Sequence, residues 1–172
     1  HRTTAISALA SLALAAGANA AILDFEDLTP SDTFQAGTPA DSFVTDGVQV
    51  NLTNFEFFDG TQNVDGVAVV QNPSQLGTGN GIFTGNALLS FEFDYPLSVL
   101  AFKYTNQGGI TNLRINGFLF KNNDLSLADG FGFGGNAEAM VIGNASAGMV
   151  MISGDIGEFA VGGQEFTIDN VD

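Results

Sequence analysis

From residue 21 onward the chain alternates apolar and polar side chains in short runs. In Leu89-Ser90-Phe91-Glu92-Phe93-Asp94-Tyr95 the apolar residues take one face, and Ser90, Glu92 and Asp94 take the other. Val48 to Thr53 alternates in the same way. Leu100, Phe102 and Tyr104 share a face, as do Phe159 with Val161 and Phe166 with Ile168. A period of two is the mark of a half-buried strand, and no helical period of useful length competes with it. Ala139–Ile142 and Met149–Ile152 are apolar on both faces and read as central strands.

The punctuation between these runs agrees. Asx-Gly pairs stand at Asp46-Gly47, Asp59-Gly60, Asp65-Gly66, Asn80-Gly81, Asn116-Gly117 and Asp129-Gly130. Such pairs tolerate the positive φ of tight hairpin turns. The clearest hairpin is Leu113-Arg114-Ile115, Asn116-Gly117, Phe118-Leu119-Phe120. Two stretches, 71–87 and 122–136, read as longer loops. Many short strands separated by turn signals predict an all-β fold, an antiparallel two-sheet β-sandwich of jelly-roll-like form. No internal repeat and no second domain is expected.

Residues 1–20 follow a different pattern: His1-Arg2, an apolar run to Ala16, then Gly17-Ala18-Asn19-Ala20. A basic start, a short apolar stretch and an Ala-x-Ala ending are the parts of a secretory signal peptide. Cleavage is expected after Ala20, leaving residues 21–172 as a single domain outside the cell. If the segment is retained instead, it is an apolar N-terminal helix that docks into a neighbouring subunit of a filament.

Composition then removes whole classes of chemistry. The chain has 19 Asp+Glu, 4 Lys+Arg, no Cys and a formal net charge of -15. Disulfide scaffolds and Cys-rich zinc sites need cysteine. Nucleic acid and anionic membrane surfaces need basic residues to neutralise phosphate. His1 is the only histidine, so acid-base and triad chemistry lack their usual group. No serine sits in a nucleophile elbow, and no glycine-rich loop precedes a lysine. Carboxylate pairs are too abundant here to single out a hydrolase. The sequence reads as that of a non-enzyme.

Calcium is the chemistry that this composition favours, because it takes hard oxygen ligands and needs neither His nor Cys. One candidate set is Asp24, Glu26 and Asp27 in the first strand together with Asp169 in the last. A jelly roll often brings those two strands side by side, and converging carboxylates would repel one another without a cation. A second candidate is the loop Asp59, Asn63, Asp65, which resembles the alternating pattern of a calcium loop but lacks an acid at position 61 and a closing Glu. Carbohydrate binding is the alternative function. It rests on Asn, Asp and calcium rather than on aromatic platforms, since 16 of the 18 aromatic residues are Phe and none is Trp. Tyr95 and Tyr104 fall on apolar strand faces and are expected in the core.

The two ends carry a family resemblance. Ala21-Ile22-Leu23-Asp24-Phe25-Glu26-Asp27-Leu28, then Phe43 to Val50 with Asp46-Gly47-Val48, then Gly162 to Val171 ending Ile168-Asp169-Asn170-Val171 resemble the opening, second and closing motifs of bacterial secreted β-sandwich domains. Such domains are common in exopolysaccharide-associated surface proteins of the PEP-CTERM type. The resemblance implies a secreted surface or matrix protein, structural or adhesive, with self-association or extracellular polysaccharide as its partners. Similar jelly-roll modules hold calcium between first and last strands, which implies the same for Asp24, Glu26 and Asp169. The Pro-Glu-Pro sorting tail of that type would be expected after Asp172, where the sequence stops.

Overall fold

The computed structural model describes residues 23–37, 41–73, 76, 77 and 79–172. The signal segment expected at residues 1–20 lies outside the described residues. Thirteen strands and one short 3-10 helix follow in order. They are β1 (Thr33–Gln35), β2 (Ser42–Thr45), β3 (Val48–Glu56), β4 (Gln62–Asn63), β5 (Val67–Gln71), β6 (Gly81–Gly85) and β7 (Ala87–Glu92). After these come β8 (Leu97–Ile115), β9 (Phe118–Asn122), the helix Leu125–Ala128, β10 (Gly132–Phe133), β11 (Ala137–Gly143), β12 (Ala147–Ile156) and β13 (Phe159–Asp169). Every strand pairing is antiparallel.

The expected antiparallel sandwich is present, and its two layers share strands. One layer runs β1-β5-β6-β13-β8-β12-β11-β10. The other runs β2-β3-β7-β13-β8-β9, with β4 attached to β3. The long strands β8 and β13 belong to both. Residues 97–105 of β8 pair with β12, and residues 111–115 pair with β9. Residues 166–168 of β13 pair with β6, and residues 159–163 pair with β7.

The strands change layers where glycine allows it. The β8–β13 register slips twice between Gly163 and Phe166, so β8 carries extra residues around Gly108 and Gly109. A bulge bends its strand and frees backbone groups from the ladder. Side chains take up the freed donors: Asn106 Oδ1 accepts from Gly108 N, and Gln164 Oε1 accepts from Ile110 N at 2.8 Å. Gly109 has φ +75, and a Cβ there would sit 2.6 Å from Gln164 Oε1. Strands that switch sheets through bulges are how sandwich corners are made.

The inner faces close over one apolar core. Val50, Leu52, Leu89, Phe91, Phe159 and Val161 come from one layer; Ile82, Leu100, Phe102, Tyr104, Phe166 and Ile168 come from the other. Phe159 links them, 5.1 Å from Phe91 and 5.5 Å from Phe102 between ring centroids. Tyr104 is fully buried, as expected, and its hydroxyl donates to Asn144 O at 2.7 Å. Burial, helped by the charge of Asp124, pushes its pKa up to about 12. Tyr95 is not in the core: it lies in the turn after β7 and is 56 % exposed.

Two further expectations change. The hairpin at Asn116-Gly117 is as expected, with φ 50 and 79 and Ile115 opposite Phe118. The loop expected over 71–87 contains β6, whose five residues pair with β5 and β13. Its Gly-Ile-Phe-Thr-Gly run is too short to show alternation. Ala139–Ile142 and Met149–Ile152 do form β11 and β12, but they are not doubly buried. Ala139, Val150 and Ile152 face the core, while Met140 and Ile142 are 44 % and 57 % exposed.

Gly162 pairs with Leu88 in the β13–β7 ladder, and a Cβ there would lie 2.0 Å from Ala87 O and 2.9 Å from Leu88 Cα. Neither backbone atom has room to retreat. Gly162→Ala is therefore expected to cost about 1–3 kcal/mol or more, by overpacking. Urea unfolding of the variant against the parent protein checks this, and an unchanged midpoint would contradict the close approach.

Candidate functional site

The first and last described segments meet. Leu23 bridges Val171 through two backbone hydrogen bonds of 2.7 and 3.1 Å. Asp172 continues the contact by pairing with Ala101 of β8. The first and last strands are expected side by side; the segment at Leu23 instead meets Val171 in a single bridge rather than as a full strand.

Around this bridge the acidic side chains act as hydrogen-bond acceptors. Asp24 Oδ1 accepts from Glu26 N at 3.0 Å. Asp27 accepts from Thr45 Oγ1 at 2.6 Å and from Asp46 N at 3.0 Å. Asp46 Oδ2 accepts from Asp24 N at 3.2 Å. Glu26 Oε1 accepts from Asn80 N at 2.6 Å, while Asn80 Nδ2 donates to Phe25 O and Leu28 O. Residues 24–28 are thus laced to the β2–β3 turn on one side and to the start of β6 on the other. The lacing holds Phe25, fully buried, at φ 60. A left-handed aromatic residue costs on the order of 1–3 kcal/mol and persists only where its surroundings over-determine it.

Asp169 stands opposite Lys103 in the β8–β13 ladder and is 2 % exposed. Burial pushes its carboxyl above the ordinary value. The backbone amide of Asn170 and the charge of Lys103 pull it back, and the charge of Glu26 pushes it up again. Asp46 is raised as well, first by burial and then by the charges of Asp27 and Asp24, against a backbone hydrogen bond from Asp24. Asp24, Glu26, Asp27 and Asp169 therefore do share one end of the molecule. Among the described residues, however, no three acidic or histidine side chains take positions that would hold a metal ion. The donor set is still of the hard-oxygen kind that suits calcium.

The second candidate loop is a hairpin. Asp59 Oδ1 accepts from Thr61 N and Thr61 Oγ1, and the hydroxyl bond is the main reason its carboxyl is held below the usual value. Asn63 lies in β4 opposite Phe55; its amide donates to Asn86 O, and its Oδ1 accepts from Asp65 N at 3.4 Å. Asp59 and Asn63 thus serve a local turn and a neighbouring strand, and Asp65 takes part through its backbone amide.

Sequence reasoning missed Asp46 and Asn80. Both were read only as turn formers, from the glycine that follows each. What each side chain touches is set by contacts 22 and 52 to 55 residues away in the chain, which no local pattern encodes. No family model, no curated protein and no solved structure matches the chain.

Asp46 and Asp169 bind a proton more readily in the folded than in the unfolded chain. Their ionisation therefore opposes folding, and stability rises as pH falls from neutral towards the ordinary value of 3.8. The double variant D46N/D169N is expected to melt higher than the parent at neutral pH and to lose that rise. Calorimetric melts across this window check it: a variant that keeps the full rise would place its origin elsewhere.

Proposed function

We propose that this protein is a non-enzymatic, secreted structural or adhesive module of a bacterial cell surface, matrix or filament, and that it works through contact between copies. The observation that carries this reading is the outward face of β8, β12 and β11. The register sets three rows across it: Ile142–Met149–Lys103, Met140–Met151–Ala101 and Glu138–Ser153–Val99. All three methionines of the chain lie in this face. Val99 is 52 % exposed, alongside Met140 and Ile142. Methionine is a flexible, polarisable side chain suited to adaptable contact surfaces.

A second copy is the occupant that the charges favour. Lys103 and Glu138 sit at diagonal corners of the face. Two copies packed face to face with strands crossing near 90° would set each Lys103 against the other copy's Glu138, an isologous contact. At strand spacings of about 4.8 Å and about 3.4 Å per residue, the face measures only about 14 by 17 Å. A stable dimer buries about 800 Å² per partner. This contact is therefore weak alone and useful where copies are held close together, as on a surface or in a matrix.

Sedimentation velocity tests the reading. The weight-average sedimentation coefficient of the parent is expected to rise with protein concentration, more so at high salt, which screens the like charges. Met140→Glu should abolish the rise without lowering the melting temperature. A parent protein that stays monomeric at all concentrations would remove the reading.

We also propose calcium as a stabilising ion at the joined ends. The support is that Asp24, Glu26, Asp27, Asp46 and Asp169 gather at one end, with Lys103 in register with Asp169 alone. Melting is expected to rise in millimolar calcium and to fall back with chelator, and equal melting in both would eliminate the ion. The secreted, surface-associated setting follows the end motifs and the signal-like residues 1–20.

A further inference from the structure

The outer face of the other layer holds a groove of about 550 Å³, lined by Thr53, Ser90, Glu92, Phe93, Arg114 and Glu158 among others. One register row crosses it through four strands: Asn51 on β3, Ser90 on β7, Ala160 on β13 and Arg114 on β8. The small side chains of Ser90 and Ala160 leave the floor low. The longer side chains of Glu92, Glu158 and Arg114 rise beside it.

Arg114 is the only arginine among the described residues, and it is half-buried in a strongly acidic protein. Glu92 and Glu158 line the same groove, yet the one ion pair among the described residues is Lys121 with Glu56. The five guanidinium donors are therefore not committed to a neighbouring carboxylate. Glu92 is held in place by Asn51, whose Nδ2 donates to Glu92 Oε1 at 2.7 Å. Thr53 lines the groove as well, though its Oγ1 is buried away from solvent and has no hydrogen-bond partner.

The chemistry of the lining specifies the ligand. A planar donor fork stands among two carboxylate acceptors and hydroxyls that both donate and accept. The matching ligand presents acceptors and donors side by side, as adjacent sugar hydroxyls do. One cation against two carboxylates, in a protein of net charge -15, repels polyanions and disfavours uronate or phosphate chains. Phe93 adds an apolar wall. It is half-buried and lies nearly parallel to Phe91, with ring centroids 6.3 Å apart and planes at 9°.

We propose that this groove binds a neutral polysaccharide, with Arg114 donating to adjacent hydroxyls and Glu92 and Glu158 accepting from them. This does not rest on contact between copies, which uses the opposite layer. Native affinity electrophoresis tests it, in gels cast separately with soluble neutral glucan, mannan, xylan and galactan, and with a polyuronate. The parent protein is expected to be retarded by at least one neutral polymer. Arg114→Ala should weaken that retardation about tenfold or more, the loss expected for charge-assisted hydrogen bonds. Glu158→Gln should weaken it as well, with melting unchanged, and Met140→Glu should retain it. Retardation by no neutral polymer, retardation by the polyuronate alone, or full retardation of a folded Arg114→Ala would each overturn the proposal.

Discussion

Because β8 and β13 run side by side through both layers, neither sheet exists without the other. Their pairing supplies the middle of each layer, and the remaining strands add outward from it. This pairing constrains the chain tightly. The bend must fall in both strands at once, and the amides freed by the bulges must find acceptors. Gly108 and Gly109 supply the backbone freedom. Asn106 and Gln164 supply the acceptors. The close approach at Gly162 and the Phe91–Phe159–Phe102 contact follow from the same geometry.

The same pairing brings the first and last described segments together. Asp169 and Val171 close β13, and the segment from Leu23 has only one strand end to join. With one bridge available, the segment is held chiefly by side chains. Carboxylates suit that work because each oxygen accepts strongly from backbone amides. The carboxyls of Asp46 and Asp169 are raised first by burial and then by neighbouring acidic charges. The acidity of this end thus serves as a structural device.

The two outer faces differ for a reason of sequence. In β11 and β12 the outward positions carry Met and Ile, so that face is apolar. In β3, β7 and the second half of β8 they carry Thr53, Ser90, Glu92 and Arg114, which line a groove beside a small apolar cluster of Phe55, Leu88, Ile110 and Ala160.

Alternation along the chain was enough to determine an all-β antiparallel sandwich, the Asn116-Gly117 hairpin, and the burial of Leu100, Phe102, Tyr104, Phe166 and Ile168. Each depends on which side of a pleat a residue takes, and that is local. Alternation could not determine that one strand runs from Leu97 to Ile115, because a bulge shifts the period midway. Nor could it place β6, too short to alternate, or decide whether the second face of β11 is covered, since a covered face and a sticky one read alike. Asp46 joining Asp24 and Asp27, and Arg114 standing beside Glu92, Glu158 and Thr53, were decided by tertiary structure alone. Long-range register determines which side chains become neighbours, and register is a property of the assembled sheets.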